Sequence, residues 1–170
     1  AALAALRSGA GLVTILASLE RLSEIRSRLP PEIMVEAWNA EKILRSKMTA
    51  LVVGPGLASE NAGSLLNDLM PFPGALVLDA DALNWMSENT TKAKAWLESR
   101  KDKTTVHTPH PKEAGRLLGQ TTEQVEANRY DAVTGLATQW KAWAVLKGKG
   151  TLVQSPSSPI VAITTGDSGL

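Results

Sequence analysis

The sequence predicts an α/β protein built on a mainly parallel β-sheet with helices on both faces. Short apolar runs, such as 50–53 and 75–78, have the length of buried strands and alternate with longer segments of helical apolar spacing. Glycines, carboxylates and a proline-flanked histidine follow these runs directly. Open α/β sheets build ligand sites from such residues at the carboxyl ends of successive strands. We therefore expect one domain over 1–170 with a ligand site along one edge of its sheet.

The first elements follow from apolar spacing and from glycine and proline stops. A helix over 1–8 ends at Gly9 and Gly11, and a helix over 19–28 ends at Pro30. The remaining elements of this region are strands over 12–17 and 33–35 and a short helix over 40–46.

The central elements alternate strictly between strand and helix. We predict strands over 50–53, 75–78 and 104–107 and helices over 82–88 and 91–99. Ser59 is expected to cap a helix that runs to about Met70. Pro111 stands in the first turn of a helix to Leu118, where its missing N–H has no partner to lose.

The last elements predict a change of strand direction. Thr121 or Thr122 caps one long helix that ends near Trp140, with Gln124 in its first turn. Strands over 142–146, 151–154 and 160–163 are joined by loops alone, so we expect an antiparallel edge.

Composition excludes several classes of protein. The chain of 170 residues has a net charge of +1 and no cysteine, which argues against nucleic-acid or membrane-surface binding and excludes a disulfide scaffold. No apolar run approaches the roughly 20 residues that span a bilayer, and the first residues lack the basic start of a signal peptide. We therefore expect a cytoplasmic protein. Arg100, Lys101 and Lys103 are interrupted by Asp102 and are expected to form a solvated loop.

Two motifs follow the first central strands. Gly-Pro-Gly-Leu at 54–57 lets the backbone approach a ligand closely, although a plain strand-to-helix turn explains it as well. Asp-Ala-Asp-Ala-Leu-Asn at 79–84 can hold a magnesium ion or a sugar hydroxyl, and helix capping by Asp79 or Asp81 is the alternative.

Two further motifs contain basic or histidine side chains. His110 lies between two prolines that fix its backbone, so we expect it to donate to a substrate, whereas His107 is expected to pack within its strand. Their spacing is only a weak zinc signal. Lys-Gly-Lys-Gly-Thr at 147–151 is not a Walker A loop, but such a hairpin can hold phosphates through backbone N–H groups and charge. The alternative is a simple hairpin.

Together with residues 6–13, the order and spacing of these motifs closely resemble the ADP/ATP-dependent NAD(P)H-hydrate dehydratase family, the carbohydrate-kinase-like domain of the YjeF proteins. The resemblance implies a ribokinase-like three-layer α/β/α fold, incomplete in this chain. It implies repair of a damaged nicotinamide cofactor, in which hydrated NADH or NADPH loses water at the expense of ADP or ATP. It also implies a magnesium requirement and a homo-oligomer.

The resemblance assigns roles to residues that match the family's motifs. The residues expected to contact the hydrated nucleotide are Gly54, Gly56 and His110. The residues expected to hold the adenine nucleotide are Lys147, Gly148, Lys149, Gly150 and Thr151. Asp81 and Asn84 are expected to have a supporting role, and no protein metal site is assigned.

The sequence departs from the family pattern at its ends, both of which look cut. The family's catalytic aspartate lies in a Gly-x-Gly-Asp segment, and the sequence stops before one. Asp167 matches the asparagine of an earlier stretch, so we assign no catalytic residue. A carboxylate and an anion hole are both needed for this chemistry, so the 170 residues alone are expected to bind nucleotide weakly and to have little or no dehydratase activity.

Two alternatives to the dehydratase remain open at this point. One is a small-molecule kinase of the same fold that phosphorylates a vitamin precursor or a sugar. The other is a non-catalytic nucleotide-binding or scaffold module. Gly166–Leu170 also resembles the nucleophile segment of trypsin-like proteases, but those proteins need an all-β pattern that this sequence lacks.

Overall fold

The computed structural model describes residues 1–165, with the side chains of Ser59 and Glu60 outside that description. The residues group into two compact units, Ala1–Ile43 and a second unit that begins at Leu44. The single domain expected over 1–170 stays a prediction. Within residues 1–165, no helix combines the length and the apolar content needed to cross a membrane.

The first unit is a small α/β arrangement around two parallel strands. Its elements are α1 (Ala2–Arg7), β1 (Val13–Ala17), a 3-10 turn (Leu19–Arg21), α2 (Leu22–Ser27), β2 (Ile33–Ala37) and the start of α3 (Ala40–Arg45). The two strands pair in parallel over their whole length. Arg26 of α2 donates to the carbonyl oxygen of Val35 at 2.9 Å, which ties the helix to the strand. The predicted helix over 19–28 therefore begins as a 3-10 turn.

The second unit contains a six-stranded sheet with the strand order β3-β4-β5-β6-β7-β8. The strands are β3 (Ala50–Val53), β4 (Ala75–Leu78), β5 (Thr105–His107), β6 (Trp143–Leu146), β7 (Thr151–Gln154) and β8 (Val161–Ile163). The first four run parallel, and β7 and β8 run antiparallel to their neighbours. The mainly parallel sheet and its antiparallel edge are thus confirmed.

The helices of this unit connect the parallel strands. They are α4 (Ser59–Asp68), α5 (Asp81–Glu88), α6 (Thr90–Glu98), α7 (Pro111–Leu118), α8 (Thr122–Ala127) and α9 (Arg129–Trp140). Because parallel crossovers are right-handed and the strand order advances in one direction, these helices pack on one face of the sheet. Burial agrees, since Leu76 and Leu78 are fully buried, whereas Val52 and Val161 are more than half exposed. Residues 44–165 therefore supply one helical layer of the predicted three-layer fold.

Two predicted helix starts differ in the structure. The long helix expected from Thr121 to Trp140 is two helices, because Asn128 has φ −134° and ψ 53° and interrupts the helical path. Thr121 does form the expected capping box, with Gln124. Ser59 is the first residue of α4 rather than its cap, and Ala58 at the cap position has φ 63°.

Arg100 is buried, so the prediction of a solvated loop is wrong for this residue. Its guanidinium is 1% exposed and stacks 5.6 Å from the ring centroid of Trp96. It donates to the carbonyl oxygens of Phe72 at 2.7 Å, Gly74 at 2.9 Å and Met70 at 3.2 Å. These carbonyls belong to the connection between α4 and β4, which has no ladder of its own. A planar donor fork satisfies several of them at once.

Candidate functional site

The predicted motifs follow strands that end at the same level of the sheet. Val53, Leu78, His107 and Ala144 lie opposite one another in neighbouring strands. The residues that follow these positions therefore emerge along one side of the sheet, which we call the carboxyl edge. The carboxyl edge consists of residues 54–58, 79–84, 108–113 and 147–151.

Hydrogen bonds join the four segments of the carboxyl edge to one another. The backbone N–H of Lys147 donates to the carbonyl oxygen of Pro109 at 2.9 Å, and its ammonium donates to Asp79 Oδ1 at 2.8 Å. The backbone N–H of Ala58 donates to Asp81 Oδ2 at 3.0 Å. The glycine turn, the histidine segment and the hairpin thus come together at one edge, as the sequence predicts, while their binding roles stay predictions.

The two glycines of the first turn have different structural reasons. Gly54 has φ +125°, and a Cβ placed on it would lie 1.7 Å from the carbonyl oxygen of Asp79. Gly56 has φ +74°, and a Cβ there would meet nothing within 4 Å. Gly54 is therefore required by close packing of two protein segments. Gly56 faces open space, where a ligand can approach the backbone.

Asp81 and Asn84 connect three helices. Asp81 accepts from the backbone N–H of Ala58 before α4 and, at 3.4 Å, from the side-chain amide of Asn84 within α5. The amide oxygen of Asn84 accepts from Arg116 of α7 at 2.6 Å. The supporting role expected for these two residues corresponds to this chain of contacts. Asp81 acts at the start of a neighbouring helix rather than as the cap of its own.

His110 is the cap residue of α7 and is held by Glu113. The backbone N–H of Glu113 donates to His110 Nδ1 at 3.3 Å, and the backbone N–H of His110 donates to Glu113 Oε2 at 2.9 Å. Because Nδ1 accepts, a neutral ring carries its proton on Nε2, which lies 3.4 Å from Glu113 Oε1. The imidazole is 47% exposed and the carboxylate 8%. A buried carboxylate therefore orients a half-exposed imidazole.

His107 is a packed strand residue, as predicted. It is fully buried, and neither ring nitrogen has a hydrogen-bond partner within residues 1–165. Burial lowers the pKa of His107 from 6.5 to about 4, because the charged ring is poorly solvated there. In the described part of the chain, no three His, Cys, Asp or Glu side chains group together as a metal site.

The buried histidine predicts acid sensitivity. The pKa of His107 is about 4 in the folded state and near 6.5 when unfolded, so the unfolded state binds the proton first as pH falls. We expect the free energy of unfolding to begin falling below about pH 6.5, with a loss of about 2 kcal/mol from this residue by pH 5. Urea denaturation at pH 7 and pH 5 measures it. His107→Leu should remove that part of the loss, and an identical loss in both proteins would contradict the prediction.

The hairpin at 147–151 connects β6 to β7, so a strand and not a helix follows it, in agreement with the exclusion of a Walker A loop. Gly148 has φ +134° and Gly150 has φ +68°, both in the region that favours glycine. Thr151 Oγ1 donates to the carbonyl oxygen of Gly148 at 3.1 Å, and Lys149 is exposed. The turn is therefore defined by its glycines and by a side chain within it. Asp167 lies outside the described residues.

The whole chain, residues 1–170, matches the family described as NAD(P)H-hydrate dehydratase. This chain belongs to the NAD(P)H-hydrate dehydratase family. A bifunctional NAD(P)H-hydrate repair enzyme Nnr from Coxiella burnetii is 38% identical over 174 residues, which cover 100% of this chain and 34% of the relative. An ADP-dependent (S)-NAD(P)H-hydrate dehydratase from Neisseria meningitidis is 41% identical over 143 residues, covering 82% of this chain and 47% of the relative.

Solved structures agree on the fold. An ADP/ATP-dependent NAD(P)H-hydrate dehydratase from Bacillus subtilis, co-crystallized with ATP/Mg2+, superposes with a TM-score of 0.75 at 24% identity. The match covers 97% of this chain and 57% of the Bacillus protein. A ribokinase-like superfamily protein from Enterococcus faecalis gives a TM-score of 0.64 at 22% identity. The ribokinase-like fold is therefore confirmed, and the chain spans about a third to a half of the length of the curated relatives described above.

Asp79 is the residue of this dehydratase-family site that sequence reasoning left without a role. Its carboxylate is 27% exposed and binds the ammonium of Lys147, which is 68 positions away in sequence. The available signal was its position directly after a strand, the same position that Gly54 occupies after β3. Asp79 thus links the second predicted motif to the fourth.

The carboxylates of the edge already have protein partners. Asp79 binds Lys147, and Asp81 binds the Ala58 N–H and the Asn84 amide. Magnesium requires several oxygen ligands arranged in a regular octahedron. The described residues of the carboxyl edge therefore do not form a magnesium site by themselves.

The measurable concavities of the second unit lie apart from these motifs. One of about 240 Å³ is lined by Gln120, Gln124, Asn128, Asp131 and Ala132. Another of about 170 Å³ is lined by Lys94, Glu98, Gln139, Trp140 and Lys141. Neither contains a residue of the carboxyl edge. The site is identified by the chemistry of that edge and not by the depth of a cavity.

Proposed function

We propose that this protein removes water from hydrated NADH or NADPH at the expense of ADP or ATP. The observation that carries the proposal is the convergence of the open glycine turn, His110 and the lysine-containing hairpin along the carboxyl edge. Membership of the dehydratase family supports the same reaction. In open α/β sheets, this edge is where ligands bind.

The parts of the edge suit different parts of the two nucleotides. The hairpin offers backbone N–H groups and the ammonium of Lys147, which suit the phosphates of ADP or ATP. The turn at Gly56 has an open backbone, and His110 has a half-exposed ring, which suit the hydrated nicotinamide nucleotide. A ring hydroxyl is a poor leaving group, and transfer of the terminal phosphoryl group to it makes phosphate the leaving group instead. The edge would place donor and acceptor side by side.

Magnesium, which the resemblance implies, is assigned to the nucleotide phosphates rather than to the protein. The carboxylates described above are committed to protein partners, and magnesium commonly enters proteins together with phosphates. Homo-oligomer formation and a cytoplasmic location also remain part of the proposal.

The decisive activity test uses the protein translated from the complete reading frame that contains these 170 residues. It is incubated with hydrated NADH or NADPH and with ADP or ATP, and the return of reduced-nicotinamide absorbance is followed. Parallel reactions contain hydroxymethylpyrimidine or a thiazole alcohol with ATP. Restored absorbance that depends on the nucleotide supports the dehydratase. A phosphorylated alcohol without restored absorbance would indicate the kinase instead, and neither product would indicate a binding module.

Lys147→Met is expected to weaken ADP binding by about tenfold to a hundredfold, the value of a charge-assisted hydrogen bond to phosphate. Isothermal titration of the 170-residue chain measures the affinity. Lys92→Met is the matched control, because Lys92 is an exposed lysine of α6 outside the carboxyl edge. Equal affinity of the Lys147→Met variant and the unsubstituted chain would contradict the assignment of the hairpin.

A further inference from the structure

Arg129, the first residue of α9, holds the hairpin from inside the protein. Its Nη2 lies 3.2 Å from the carbonyl oxygen of Leu146, 3.3 Å from that of Lys147 and 3.4 Å from that of Gly150. Its Nη1 donates to Glu126 Oε2 at 3.3 Å. The Arg129 side chain is 15% exposed. One guanidinium thus contacts carbonyls from both ends of the turn.

The glycine at 148 is matched to this guanidinium. A Cβ on Gly148 would lie 2.9 Å from Arg129 Nη1 and 3.2 Å from Nη2, closer than side chains normally approach. A Cβ on Gly150 would meet nothing within 4 Å, although Gly150 also has a positive φ. The hairpin therefore lies directly against Arg129 at one glycine and is open at the other.

The N–H groups of the turn are left for another partner. Three carbonyl oxygens of the hairpin region point to Arg129, and the backbone N–H of Lys147 is taken by Pro109. Among residues 1–165, no acceptor contacts the backbone N–H of Gly148, Lys149 or Gly150. Successive unpaired N–H groups in a glycine-rich turn form a concave site for anions.

We propose that Arg129 is a positioning residue for nucleotide binding, which it serves by holding the carbonyl oxygens of the hairpin inward so that the N–H groups face the phosphates. The inference rests on the proposed nucleotide role of the hairpin. Arg129 is not itself the phosphate ligand, because its Nη2 is directed at three carbonyls and its Nη1 at Glu126. Lysine cannot substitute, since a single ammonium lacks the planar fork that reaches carbonyls on both sides of the turn.

The first experiment compares Arg129→Lys with the unsubstituted chain by isothermal titration with ADP and by hydrogen exchange of the hairpin amides without nucleotide. We expect ADP binding to weaken about tenfold and the exchange pattern of 147–151 to change in the unliganded protein. Arg28→Lys, an exposed arginine of the first unit, is the charge-conserving control. For Arg129→Ala, added methylguanidinium is expected to restore part of the affinity.

The second experiment pairs the two glycines. Gly148→Ala is expected to alter hairpin exchange more than Gly150→Ala, because only the first contacts Arg129. The excess should disappear when Arg129 is alanine as well, as a double-mutant cycle would show. This comparison tests the contact in a second set of variants and needs no ligand.

The outcomes separate the inference from the proposed function. If the unsubstituted chain binds no ADP, the nucleotide role fails, and an altered hairpin in Arg129→Lys would then show only a structural contact. If ADP binds and Arg129→Lys binds it equally well, the positioning role is overturned. A loss of affinity with unchanged hairpin exchange also overturns it, because Arg129 would then act as a direct ligand.

Discussion

Gly54→Ala is expected to destabilise the second unit by about 4 kcal/mol or more, the size of effect that a severe steric clash produces. The added Cβ would lie 1.7 Å from the carbonyl oxygen of Asp79 and 3.0 Å from the backbone N of Ala82, and neither is the end of a flexible side chain. The alanine would also have to adopt φ +125°. Urea denaturation followed by tryptophan fluorescence measures the loss.

Gly56→Ala separates the clash from the backbone conformation. Gly56 also has a positive φ, but its Cβ would meet nothing within 4 Å, so we expect a loss of only about 1 kcal/mol. Similar losses for the two variants would show that the packing of the turn against Asp79 is not what requires glycine at 54.

Arg100→Met is expected to destabilise the second unit by about 4 kcal/mol, because buried carbonyls that lose their donor keep the cost of desolvation. The guanidinium serves Met70, Phe72 and Gly74, all in the connection that leads into β4. Methionine retains much of the apolar volume against Trp96 but supplies no donor. Chemical denaturation again gives the free energy of unfolding.

Lys101→Met is the matched control for the arginine, since Lys101 is the exposed neighbour in the same loop. We expect a change within about 0.5 kcal/mol, as for most surface substitutions. A loss below about 1 kcal/mol in Arg100→Met would mean that water serves the three carbonyls as well as the guanidinium does.

The sheet was predictable because its local signals agree. Apolar runs alternate with helical spacing from 50 to 146, and a strand–helix–strand alternation leaves parallel pairing as the natural solution. The last strands are joined by short loops without helices, which permits only antiparallel neighbours. Local spacing and connection length were sufficient for both predictions.

The buried polar contacts were not predictable from the sequence. Arg100 stands in a run with Lys101, Asp102 and Lys103, and only the tertiary position of the 70–74 connection makes it a buried donor. The break at Asn128 is likewise invisible in apolar spacing, which continues from α8 into α9. Such choices depend on where unpaired carbonyls come to lie in the folded chain.

The candidate site shows the same division. The sequence places the motifs after strand ends, and register then brings them together. It does not show that Asp79 pairs with Lys147, or that Gly54 is required by a protein contact while Gly56 is open. Pairings across 68 positions depend on the fold and not on spacing. Several residues of the edge therefore serve the protein's own structure as well as any ligand.

The central claim is that the carboxyl edge binds the phosphates of an adenine nucleotide through its hairpin. Titration of the 15N-labelled chain with MgADP, followed by amide chemical shifts, tests it most directly. We expect the largest shifts at the amides of Gly148, Lys149 and Gly150. Saturable binding that instead shifts the residues around the 240 Å³ concavity, such as Gln124 and Asp131, and leaves the hairpin unchanged would contradict the claim.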